Sequence, residues 1–318
     1  MKKLLLMATA LLFACTADLF AQEGGENTPG SSPDNPIFIE NKDDFLAIAN
    51  DPEYGAGKYY KQMADITNLG SIDVTVEDTT TDVYFVRNFK GNYDGNGKSI
   101  TFHMNVNIWN TYQGTSNPKV CVGLFDTLSG NGVIKNLKIT NSSISLNMGE
   151  HSDTIPGKLD WHAGLLCGKM DGANARIANC MITNSWIDAH DLAAKMANYS
   201  YMHVGGVVGY MNRGTLHEVA FINTNTDTDP NPPTSGYSLD GLACVGGIVA
   251  KIDGSPVTIE SCLFRGSLRV QKSEVKEGED GYGVATVGGI VGRVHTSNSS
   301  RISNCYVDAS AIVSTNSA

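Results

Sequence analysis

Four side chains able to bind a borderline-soft metal recur at a fixed interval: Cys121, His162, His203 and Cys244, with Thr286 next in line. Thiolate sulfur and imidazole nitrogen are the donors that zinc takes in tetrahedral sites. Each stands immediately before an apolar–glycine pair: Val122-Gly123, Ala163-Gly164, Val204-Gly205, Val245-Gly246 and Val287-Gly288. Stacked strands would bring such side chains to ~5 Å from one another. The columns on both sides are apolar, Val120, Trp161 and Met202 before and Val122, Ala163 and Val204 after. Strand alternation therefore turns the Cys/His column outward. A polar ladder without metal is the first reading and a zinc site the second. No cofactor is expected.

A second group is aromatic. Trp161, Tyr199, Tyr201, Tyr237 and Tyr282 lie in or beside polar segments at about 146–160, 188–202, 226–243 and 270–285. These segments precede successive glycine pairs, so they are expected to leave one common edge and build a composite surface. Aromatic faces along such a ridge would suit sugar rings; packing the inserts against the strands is the competing role. A third group is Cys180, Cys262 and Cys305, at an apolar position of the repeat. Cys262 and Cys305 would be close enough for a disulfide in adjacent coils, while a core ladder of free thiols is the default.

These residues need a scaffold, and the repeat supplies it. The first glycines fall at 123, 164, 205, 246 and 288, steps of 41 or 42 residues. After each come apolar residues two apart: Leu137/Ile139, Cys180/Ile182, Val219/Phe221, Cys262/Phe264 and Cys305/Val307. Spacing of two is the strand period with one face buried. Asn141, Asn184, Asn223, Gly266 and Ala309 follow, a column read as a left-handed turn with Ala309 the exception. One unit of strand, glycine turn, strand, asparagine turn and strand cannot cover its own apolar face, whereas a stack can. The expected fold is all-β, a parallel β-helix or solenoid of five to six coils. It should be right-handed, following the preference of parallel crossovers. Asp43–Asn50 has apolar residues at helical spacing behind aspartates suited to capping, and predicts a short helix over the first coil.

Phe89-Lys90-Gly91-Asn92-Tyr93-Asp94-Gly95-Asn96-Gly97, leading into Ile100, precedes the Val-Gly-Gly-[Ile/Val]-Val-Gly repeats. Together with the entry Asn35-Pro36-Ile37-Phe38-Ile39, this pattern resembles the GLUG-repeat proteins, surface proteins of the Bacteroidetes type also found in some IgA-cleaving proteases. The resemblance covers residues 34–318 and implies a β-repeat fold and a surface location. It does not imply a reaction, since the relatives' peptidase domain is separate and no His-Glu-x-x-His occurs here. Asp94 to Gly97 has the look of a calcium loop, but the twelfth position from Asp94 is Asn105, so a turn is expected.

Lys2 and Lys3, the apolar run Leu4 to Phe13, and Leu19-Phe20-Ala21 read as a secretory signal over residues 1–21. Cleavage before Gln22 competes with a lipobox reading of Leu12-Phe13-Ala14-Cys15, which would place a lipid on Cys15. Residues 22–34 read as a flexible leader, 35–115 as the N-terminal cap and first coils, and 116–318 as the repeats. The net charge of −10 without basic clusters argues against nucleic acid and anionic membranes; membrane contact is expected only through a lipid on Cys15. No Cys-x-x-Cys is present. Polysaccharide-cleaving β-helices need clustered carboxylates. Asn225-Thr226-Asp227 has the form of one galacturonase motif, but Asp-Asp occurs only at 43–44 and no His-Gly accompanies it. The chain is therefore expected to be no enzyme. The leading reading is an exported adhesin or binding module for a glycan or a host or matrix protein, cell-surface or extracellular. A structural spacer or assembly partner is the alternative.

Overall fold

The computed structural model describes residues 28–76, 82–108, 119–148, 160–189, 201–223, 237–272, 285–295 and 299–316. Among them the regular secondary structure is nearly all β, with one short helix, and each ladder joining named strands is parallel. Register follows the repeat. Ala163 pairs with Val122 and Val204, Gly205 with Gly164 and Gly246, and Gly246 with Gly288. The chain thus comes back one rung further on after 41 or 42 residues, the arrangement of an all-β parallel solenoid.

The glycines set the shape of each coil. A Cβ on Gly164, Gly205, Gly246 or Gly288 would lie 1.9–2.3 Å from the carbonyl oxygen three residues later. A second column, Gly168, Gly209 and Gly292, also has backbone within 2.6–2.7 Å of such a Cβ. With no side chain at either column, the chain bends at Leu165-Leu166 or its equivalent and lays the following strand backbone-to-backbone against the one before. Any larger residue would wedge the two apart.

Apolar columns fill the interior. Ile134, Ile177, Leu216 and Ile259 pair in sequence and are fully buried, as are Phe221 and Phe264. Those two rings stack with centroids 5.5 Å apart. Each such side chain contributes roughly 1.5–3 kcal/mol through removal from water. At the N-terminal end, helix α1 (Lys42–Ala47) continues into a 3₁₀ turn at Ile48–Asn50. Its fully buried Phe45 meets Tyr93 and Phe125 edge-on. The expected cap is present, but its N-cap is Asn41, whose side chain accepts from the N–H groups of Asp43 and Asp44. Both aspartates lie in the first turn, where they favour the positive end of the helix dipole. At the other end Ile302 and Val307 are exposed, although their partners Ile259 and Phe264 are buried. Among the described residues no helix is long and apolar enough to cross a membrane.

The left-handed column expected at Asn141, Asn184, Asn223, Gly266 and Ala309 is only partly present. Asn141, Asn184 and Gly266 have positive φ; Asn223 and Ala309 do not. At Ala309 the ladder slips, with Gly266 opposite Ala309 and Ser267 opposite Ala311, so the extra Ser310 makes the corner as a bulge. Asn223 is the last described residue before 237. A more regular left-handed column stands five residues earlier: Asn96, Asn136, Asn179, Glu218, Ser261 and Asn304, with φ between 51° and 56°. Asparagine tolerates this conformation and adds a ladder of its own. The Asn179 amide donates to Asn136 Oδ1 at 2.7 Å, and the Asn136 amide donates to Asp94 Oδ1 at 2.9 Å. The Asp94–Gly97 stretch is a turn, with Asp94 Oδ1 accepting from the Asn96 N–H.

Candidate functional site

The Cys/His column faces opposite to Trp161 and Met202, as alternation requires, but it is not on the outside. His162, His203, Cys121 and Cys244 are all buried. The reason is the glycine fold-back. A Cβ on Gly168 would stand 2.8 Å from Cys121 Cβ, and one on Gly292 would stand 2.7 Å from Cys244 Sγ. Tyr210, on the strand that folds over the column, has its ring 4.7 Å from that of His162. Strands covered on both faces have no outer column.

Within this layer the two imidazoles, paired rung to rung, lie nearly parallel with centroids 4.9 Å apart. Both direct Nε2 toward one oxygen. Asp160 Oδ1 is 2.9 Å from His203 Nε2 and 3.3 Å from His162 Nε2. Asp160 and His162 share a strand face because they are two residues apart. Burial alone would raise the Asp160 carboxyl, but the two imidazoles beside it overcome this and hold it well below the usual carboxylate range. Burial lowers His203, outweighing the Asp160 carboxylate that acts the other way. Asp160, His162 and His203 place one ligand atom each within 4.8 Å of the others.

The flanking cysteines do not join this group. Cys244 donates its thiol to the Ala250 carbonyl at 2.9 Å, and burial pushes it up to about 11. Burial, with Asp82 nearby, pushes Cys121 further still. The residues whose ligand atoms lie together are Asp160, His162 and His203, so among the described residues the Cys₂His₂ set drawn from the sequence gives way to a His₂Asp set. Asp160 was legible as Asp-x-His at the strand period, yet the aligned column alone did not reveal it.

The aromatic group is dispersed. Trp161 is fully buried in the core, its indole N–H without a hydrogen-bond partner among the described residues, and it cannot offer a face to a sugar. Tyr237 is half-buried, with the Arg269 guanidinium 5.0 Å from its ring centroid. Arg269 in turn is ion-paired to Asp240, which is fully buried. Tyr201 opens the strand Tyr201–Gly205. Tyr199 and Tyr282 lie outside the described residues, as do Cys15 and the whole signal segment. Cys262 and Cys305 are separate thiols, each donating to a carbonyl two residues back, Glu260 and Ser303.

Register also locates the inserts. Ser143–Met148 pairs with Trp186–Asp188, and Asp160–Gly164 pairs with Tyr201–Gly205. Segments 149–159 and 190–200, outside the described residues, therefore lie between strands at matching rungs. Segment 273–284 is placed alike, between Leu263–Lys272 and Thr286–Gly288. The fourth insert is not, contrary to expectation. Leu239–Gly246 is one continuous strand, and the chain departs a corner earlier, after Asn223, rejoining at Tyr237. A groove of about 520 Å³ lies along the asparagine corner, lined by Lys61, Lys138, Asn96, Asn136 and Glu218 among others. Its Asp94 is engaged by Asn136, Asn96 and Lys135, the last at 3.3 Å.

No protein-family model matches the chain, and no curated protein matches it. Among solved structures it is similar to the crystal structure of "a putative immunoglobulin A1 protease from Bacteroides ovatus". The match covers 91% of this chain and 80% of that one, at 18% identity and a TM-score of 0.46. A likeness of that size assigns neither activity nor substrate.

Proposed function

We propose that this chain is an exported, non-catalytic binding module of the cell surface or extracellular space. In this reading a right-handed solenoid of five to six coils presents inserts to a glycan or a host or matrix protein. The observation that carries it is the common edge: segments 149–159, 190–200 and 273–284 lie between equivalent rungs, the first two in adjacent coils and the third two coils further on. A rigid ladder holding several polar segments at a fixed ~4.8 Å rung spacing lowers the ordering cost of a multi-point contact. The secretory reading of residues 1–21, with either cleavage before Gln22 or a lipid on Cys15, and the resemblance to GLUG-repeat surface proteins support the location.

A spacer or assembly role is the second reading, and the displaced fourth insert favours it, because the ridge is interrupted where Leu239–Gly246 runs through. Residues 22–318 should be screened against glycans, mucins and matrix proteins. The binding reading expects a saturable hit that weakens when 149–159 and 190–200 are shortened and when Tyr201 or Tyr237 is replaced by Ala. An empty screen, or binding indifferent to those changes, leaves the spacer reading.

A further inference from the structure

We propose that Asp160, His162 and His203 form a site for a divalent transition ion, best suited to zinc, that staples two adjacent coils. The geometry is the argument. Zinc holds imidazole nitrogen and carboxylate oxygen at ~2.0–2.2 Å, so neighbouring ligand atoms of a tetrahedral set stand about 3.3 Å apart. Two edges of that figure already exist, Asp160 Oδ1 to His162 Nε2 at 3.3 Å and to His203 Nε2 at 2.9 Å. Asp160 Oδ1 is buried without an aligned hydrogen bond, although two ring nitrogens are this near. The coils fix the third edge: the histidines come from paired rungs with stacked rings, and one ring nitrogen of each lies within 4.8 Å of the other.

Two neutral imidazoles and one carboxylate leave a net positive ion with a fourth position for water or an incoming ligand. Asp160 is the least buried of the three. The lysines on the strands flanking that of Tyr210 have carboxylates of their own, Lys169 with Asp171 at 2.7 Å and Lys251 with Asp253 at 3.4 Å. The site does not depend on what the inserts bind. It does lie where segments 149–159 and 190–200 rejoin the coils, so an ion there would fix those two rungs to each other.

The test uses untagged protein 22–318, stripped with chelator and then titrated with zinc alone, with metal content measured after dialysis. Cobalt substitution adds a visible spectrum that reports four-coordination. The expected result is one ion per chain, a higher Tm with zinc, and tetrahedral-type cobalt bands. Asp160→Asn and His203→Gln, which keep side-chain volume, should lose more than the ~10–100-fold in affinity that an outer-shell partner costs, with unchanged circular dichroism. Cys121→Ser and Cys244→Ser should bind as the parent does. Three results would overturn the proposal: no stoichiometric binding by folded parent protein, affinity retained in both Asp160→Asn and His203→Gln, or an equal loss in the cysteine variants.

Discussion

Buried ionisable groups mark the places where single residues matter most, and Asp126 is the clearest outside the histidine cluster. Its carboxylate accepts from the backbone N–H groups of Asn88 and Thr127. Burial nevertheless pushes it up to about 6 from an ordinary 3.8. A raised carboxyl favours the folded state while protonated, so its contribution is complete below pH 3.8 and is lost as pH rises through about 6. Asp126→Asn keeps an acceptor oxygen and removes the charge. It should raise stability at pH 8 by up to about 3 kcal/mol, with the gain vanishing near pH 4, as read from urea unfolding at both pH values. An equal effect at both would assign the change to packing instead. At this scale the sequence revealed His162 and His203 but misjudged their surroundings. Alternation is a local rule, and it cannot report that glycines on the next strand let another backbone cover the column. Trp161 is the reverse case: alternation already turned it inward with Val120 and Met202, and its burial removes it from the aromatic ridge.

The elements were more legible because five copies vote on each position. The Val-Gly-Gly spacing forecast the rungs to the residue, and close contacts at Gly164, Gly205, Gly246 and Gly288 explain why that column admits no side chain. Gly205→Ala would put Cβ 2.0 Å from the Val208 carbonyl oxygen. We expect a loss of about 3 kcal/mol in equilibrium unfolding, at the upper end of overpacking costs. The principal corner went unnoticed because its column mixes Asn136 and Asn179 with Glu218 and Ser261, types that share no obvious conformational taste. Glu218, with φ of 54°, is therefore a soft spot. Glu218→Asn should raise stability by roughly 0.5–1 kcal/mol, since asparagine accepts a left-handed backbone more readily. No change, or a fall in Tm, would show that the corner is already relaxed. The displaced fourth insert was illegible for a different reason. Only strand pairing shows that Leu239–Gly246 runs on through the corner where its neighbours break.

For the whole molecule, the parallel stack means that each coil touches only its neighbours, and stability divides into nearest-neighbour interfaces. Phe45 closes one end, so Phe45→Ala should expose Tyr93 and Phe125 and loosen the first rungs ahead of the rest. Hydrogen exchange resolved along the chain should show protection falling near residues 92–94 and 125–128 while 257–264 is unaffected. Uniform loss would mean that the stack unfolds as one unit.

The same rung-by-rung architecture has a mechanical meaning. Tension applied along the stacking direction pulls neighbouring coils apart like a zipper, loading a few hydrogen bonds at a time instead of shearing a whole ladder. Each 41-residue coil then releases about 140 Å of contour length. A chain held at a surface by one end would yield in steps of that size, acting as an extensible tether whose length is metered in coils.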